Sequence, residues 1–263
     1  MNKPPRNKNS KKLFSEHLSE LRNRVLISVS AVMACALAAF AVREELIRFL
    51  SLPFKETLYY TSPAGGLEIA VTVSLGAGVI AAFPVIIFQA LSFILPIVPG
   101  RTKWLVVGYT FSSWLLAIGG SAFAYYISLP AALNLLSMFA TEDIKSLIAA
   151  DQYMRFIMIY LVGFSVMFQL PVVVLLVNNL SPLRPMKLLS YTGYVVLGSF
   201  IAAAILTPTP DPVNQTIMAG VPIVLYLVSI LLIALGRVRW KSVLIWKRPR
   251  GRSELLPDGK PRT

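Results

Sequence analysis

Charged residues divide the chain into six long intervals that carry none: 25–42, 69–100, 104–141, 156–183, 188–210 and 212–236. A helix needs about 20 predominantly apolar residues to cross roughly 30 Å of hydrocarbon. Every interval reaches or nearly reaches that length, and none accommodates two tightly spaced spans. The runs are continuously apolar, whereas the strands of a membrane β-barrel would alternate apolar and polar positions. The pattern predicts an all-α integral membrane protein with six transmembrane helices, near 25–42, 69–95, 104–128, 155–178, 188–206 and 213–235.

Helical periodicity extends beyond the spans. Phe14, Leu18, Leu21 and Val25 fall at i, i+4, i+7 and i+11, one stripe of a helix. With that stripe against the membrane, Glu16, Glu20 and Arg24 share another side, four residues apart. Such i, i+4 pairs stabilise an amphipathic helix by a few tenths of a kcal/mol. A carboxylate at the mouth of a bundle also suits a second task, accepting a cation, most naturally a guanidinium bound through two hydrogen bonds. In REELIRFLSLPFKETLYY (43–60), Leu46, Ile47, Phe49 and Leu50 predict a short interfacial helix that Pro53 stops, with Tyr59 and Tyr60 as interfacial anchors. The third interval, 38 residues long, overshoots one span. Its helix is expected to leave the membrane near Pro130, the chain continuing as an outer cap. Pro84, Pro171 and Pro222 predict interruptions that splay the bundle, and the three prolines of LTPTPDPVNQ (206–215) forbid a continuous helix between the last two spans.

Composition agrees, with 56% hydrophobic residues, 14% charged and a mean hydropathy of +0.68. The net charge of +13 is informative through its distribution. Seven Lys/Arg against two acids precede Val25, and nine against two follow the last span. Between them only the connections with Arg101 and Lys103, and with Arg184 and Lys187, are purely basic. Positive excess therefore alternates with every crossing, which predicts cytoplasmic N and C termini and three outer loops. Charge split between two tails does not make a nucleic-acid surface. The basic stretches 1–12 and 241–263 are expected to be disordered tails flanking one membrane domain, 13–240. The first interval is longer than a signal-peptide core and runs into an amphipathic stretch, so it is expected to be a retained anchor. The single cysteine, Cys35, excludes an internal disulfide or thiolate metal site.

EHLSELRNRVL (16–26) resembles the N-terminal signature of the TatC family, the polytopic subunit of twin-arginine protein translocases, whose pattern runs roughly His-Leu-x-Glu-Leu-Arg-x-Arg-Leu. Further segments resemble that family in order: SLPF (51–54), FPVIIFQALSFILP (83–96), GGSAFAYYISLPAAL (119–133), GFSVMFQLPVV (163–173) and LTPTPDPVNQ. The resemblance covers residues 14–236 and implies a cup-shaped six-helix receptor for the twin-arginine signal peptides of folded precursor proteins. It implies export driven by the proton-motive force in an oligomeric complex of the cytoplasmic membrane, with TatA-like and TatB-like single-span partners. Glu20 then stands where the family recognises the signal, with Glu16 and Arg22 beside it. Phe93, Pro53 and Gln169 are placed by the same resemblance on the concave face.

Two positions depart from the family. A second glutamate usual in the first cytoplasmic loop is replaced by Thr102 in PIVPGRTKW (96–104), so Glu16 compensates or recognition is altered. Gln169 lies near mid-membrane where relatives often carry glutamate. An amide there must face protein or a wet cavity, as an interhelical hydrogen-bonding group or as part of the concave lining, and it cannot relay protons. No paired intramembrane carboxylates, metal-ligand cluster or phosphate loop argues for an enzyme or a cofactor. The competing reading, a small-solute secondary transporter, calls for an inverted repeat and converging midplane charges; neither is visible.

Overall fold

A computed structural model describes residues 8–54, 58–59, 62–94, 103–137, 149–206 and 212–246. They form ten α-helices: α1 (Lys8–Ala41), α2 (Arg43–Ser51), α3 (Gly65–Ile94), α4 (Lys103–Phe123), α5 (Leu129–Ser137), α6 (Ala150–Met167), α7 (Leu170–Leu180), α8 (Pro185–Ser190), α9 (Thr192–Leu206) and α10 (Pro212–Trp246). A π-helical turn, Ala124–Ser128, joins α4 to α5. The helix α1 begins inside the stretch 1–12 read as a tail, and α10 runs past residue 241.

Among the described residues, five helical stretches are long and apolar enough to cross a membrane: His17–Ala41, Gly65–Phe93, Val106–Asn134, Ala150–Asn179 and Gln215–Leu235. This is an all-helical, multi-pass membrane protein. The segment expected as the fifth of six spans differs. It is split at Tyr191 into α8 and α9, and its apolar part, Thr192–Ile205, is shorter than the other five. At 1.5 Å per residue, α9 covers only about 22 Å, short of the roughly 30 Å of a hydrocarbon core.

The core is built around α6, which packs against α3, α4 and α9. Ile157, Tyr160 and Phe164 are fully enclosed, and Met154, Leu129, Val73 and Met218 close around them. By contrast α1 is the least buried span and leans on α3. Contact there is close because Gly78 has no side chain: a Cβ would lie 2.6 Å from the backbone nitrogen of Ala36. Small residues let helix backbones approach in a bundle where lipid removes the hydrophobic drive for association. Gly120 does the same between α4 and α6, 2.7 Å from the Phe164 carbonyl oxygen. Leu18, Leu21 and Val25 of the predicted apolar stripe face outward.

Prolines act differently by context. Pro84 and Pro222 sit inside continuous helices. The helix does not stop at Pro130 but runs on to Ser137. The π turn immediately before it widens the backbone where the ring would otherwise meet the carbonyl four residues back. At Pro171 the helix breaks instead, in a turn at Phe168 and Gln169. The predicted short helix after the first span is α2; Leu50 is buried, Leu46 and Ile47 pack on the core, and Phe49 stacks on Tyr125 at 4.4 Å. The hydroxyls of Tyr125 and Tyr153 donate to the Phe49 and Leu50 carbonyls at 2.5 and 3.4 Å, the former as a second bond on an oxygen that already accepts the Leu52 N–H. Tyr59 is half-exposed, and Tyr60 lies outside the described residues.

Candidate functional site

On α1, Glu20 and Arg24 are one turn apart on the side away from the apolar stripe. The Arg24 guanidinium donates to Glu20 Oε1 from both Nε (3.1 Å) and Nη2 (2.6 Å). Its Nη1 reaches across to α3 and donates to Gln89 Oε1 at 3.3 Å. One turn before, the His17 ring stacks on Phe93 of α3 at 4.4 Å between centroids, and its Nδ1 lies 3.9 Å from Glu20 Oε2. Two residues of α1 and two of α3 thus hold one carboxylate in place at the α3 C-terminal end. Glu20 keeps 43% of its side chain exposed, so a ligand can reach it. Arg22, two residues on, is exposed. Chemically this is an accessible carboxylate beside two flat rings, able to take a planar cation through charge-assisted hydrogen bonds.

The remaining predicted positions fall elsewhere. The side chain of Glu16 and the whole of Thr102 lie outside the described residues. Pro53 is in the turn after α2, where Phe54 packs on Tyr153 at 5.0 Å. Gln169 is buried between α6 and α4. Phe93 therefore belongs with Glu20, while Pro53 and Gln169 have separate surroundings.

Gln169 sits where Pro171 breaks the helix, and the break explains its bonds. Its backbone N–H donates to Val166 rather than to Ser165 four residues back. The Gln169 side-chain amide donates to the Ser165 carbonyl instead, at 3.0 Å, and to the Ser113 carbonyl of α4 at 3.2 Å. The Ser113 hydroxyl donates to Gln169 Oε1. Ser121 and Ser165 join their hydroxyls 2.6 Å apart just beyond. The amide mends the helix it interrupts and ties it to α4.

Along α3 from the Glu20 cluster, an open apolar groove of about 660 Å³ runs between α3, α6 and α9, lined by Leu75, Val79, Met158, Val162, Val166 and Ile205 among others. At the α6 N-terminal end its wall includes Arg155, which pairs with Glu68 of α3.

Comparison with known proteins matches residues 16–222 to the family described as Sec-independent protein translocase protein (TatC). The chain belongs to the TatC family. A Helicobacter pylori (strain J99 / ATCC 700824) family protein is 32% identical over 216 residues, 82% of this chain and 86% of its own length. The chloroplastic TATC of Arabidopsis thaliana is 35% identical over 215 residues, 81% of this chain; the match spans 63% of that longer relative. A solved crystal structure described as the twin arginine translocase receptor TatC is 31% identical, covers 83% of this chain and 98% of its own, and superposes with a TM-score of 0.74. The fold is that of TatC.

Sequence reasoning placed Glu20, Arg24 and Gln169 by periodicity and depth, but did not single out Gln89 or the serines. Gln89 stands inside the quoted FPVIIFQALSFILP, where a lone amide among apolar residues was the available signal.

Proposed function

We propose that the chain is the signal receptor of a twin-arginine translocase, a translocase component rather than an enzyme. It forms a cup of six spans, α9 being the short fifth, with both termini in the cytoplasm of a cell whose cytoplasmic membrane it crosses. Glu20 accepts a guanidinium of the incoming twin-arginine signal, and Glu16, Arg22 and Thr102 are the further positions proposed to take part in recognising it. The apolar part of the signal then lies along the bundle's concave face. Occupied receptor recruits TatA-like and TatB-like single-span subunits, and folded cargo crosses at the expense of the proton-motive force.

The single observation that carries the reading is the accessible Glu20 carboxylate, oriented by Arg24 and His17 beside Phe93 in a TatC-family chain. The groove adds support. It shares α3 with the cluster, and Gln89 and Val79 are separated by about 15 Å of helix, well within the reach of one apolar signal helix. The test is export in a host lacking its own TatC, supplied with this chain and its single-span partners. A folded reporter behind a twin-arginine signal should leave the cytoplasm with the wild-type chain and remain inside with Glu20→Ala. Equal export by both would refute the role given to Glu20.

A further inference from the structure

The carboxylate that awaits a guanidinium already has one. Arg24 is more enclosed than its partner, 22% exposed against 43% for Glu20, and both of its hydrogen bonds to the carboxylate land on Oε1. Its third arm rests on the side-chain oxygen of Gln89, a neutral acceptor on a different helix. The neighbours supplied by α3, Gln89 and Phe93, carry no charge, so the described cluster is a neutral pair rather than a bare anion.

We propose that Arg24 is a resident guanidinium that fills Glu20 while the receptor is empty, and that a signal arginine binds by exchange, shifting Arg24 onto Gln89. This rests on the assignment of Glu20 as the signal's acceptor. Exchange needs a second acceptor within reach of the displaced group, and Nη1 is already on Gln89. It also needs water at the freed donors, which the partial exposure of both side chains provides. The device sets a threshold. Displacing Arg24 costs the same whichever signal arrives, so it lowers every apparent affinity by one factor. Preference for arginine over lysine stays with the planar two-donor contact that Glu20 offers and a compact ammonium cannot reproduce. Arg24 sets the threshold and Gln89 is the parking place.

Binding of two synthetic signal peptides, identical but for Arg-Arg or Lys-Lys, to the purified full-length chain in detergent tests this by fluorescence anisotropy. An exposed ion pair of this kind modulates an equilibrium by about two- to fivefold. Arg24→Gln should tighten the Arg-Arg and Lys-Lys peptides alike by that factor, leaving their affinity ratio in place. Gln89→Leu should weaken the Arg-Arg peptide to a similar degree, and lose that effect when combined with Arg24→Gln. Weaker or unchanged binding by Arg24→Gln overturns the proposal, because an arginine that merely positions Glu20 gives that result. If Arg24→Gln does not elute with the wild-type protein, Arg24→Lys keeps the charge but removes the fork, and the weaker resident must still tighten both peptides; unchanged or weaker binding is again fatal. Glu20→Gln separates the two ideas: wild-type binding by that variant means that the acceptor itself was misassigned, whatever Arg24 does.

Discussion

Gln169 and Glu20 are polar residues on two different apolar helices, and their surroundings give them opposite duties. Gln169 is enclosed, with its oxygen and both amide hydrogens engaged by α4 and by its own interrupted helix. Gln169→Leu would leave the Ser165 carbonyl and the Ser113 hydroxyl buried without those partners, at a cost of roughly 1–3 kcal/mol. Thermal unfolding in detergent should show the loss, whereas a residue that only lined an open face would leave the melting temperature in place. Glu20 is accessible and paired, which suits the role proposed for it. Its side of α1 was legible because 3.6-residue periodicity sorts Leu18, Leu21 and Val25 from Glu20 and Arg24 within one helix. Gln89 was not legible as a partner, because its contact with Arg24 joins residues 65 positions apart and no local pattern encodes that. Thr102→Glu adds a carboxylate to the connection that carries Arg101 and Lys103. It should raise export of a cargo with a weakened signal, read as exported reporter activity, and no gain would mean that a second acid does not limit this receptor.

At the scale of elements, glycines mark where helices touch. Gly119 and Gly120 are adjacent on α4, yet a Cβ on Gly119 meets nothing within 4 Å while one on Gly120 meets the Phe164 carbonyl. Gly120→Ala should therefore force α4 from α6 and destabilise by about 1–3 kcal/mol. Gly119→Ala should be neutral or stabilising by up to about 1 kcal/mol through helix propensity. Parallel melting curves check the pair. On α2, Tyr125→Phe keeps the ring stacked on Phe49 and removes the hydroxyl that caps its carbonyl. Loss of about 1 kcal/mol is expected there, visible as faster amide hydrogen exchange in α2 but not in α6. The apolar elements were legible from charge spacing alone, since hydrocarbon admits so few backbone solutions. What the prolines do was less so. Pro130 is carried through by a π turn, while Pro171 breaks its helix where Gln169 can repair it; the outcome depends on neighbouring helices that a proline in isolation does not reveal.

For the whole molecule, α6 anchors the core while α1, bearing Glu20, lies on the flank against α3. Glu20 thus sits on the least buried of the five long spans, on the outer side of its packing against α3. Orientation follows from charge, so a cysteine placed near residue 3 in a Cys35→Ser background should react with an impermeant maleimide only from the cytoplasmic side. The account stands or falls on whether Glu20 meets the signal. Site-specific photocrosslinking of a twin-arginine precursor to membranes containing this chain measures that contact directly. Strong adducts with the wild-type chain are predicted, lost with Glu20→Ala and equally lost when the signal's two arginines are lysines. Adducts of undiminished yield in both altered cases would contradict it.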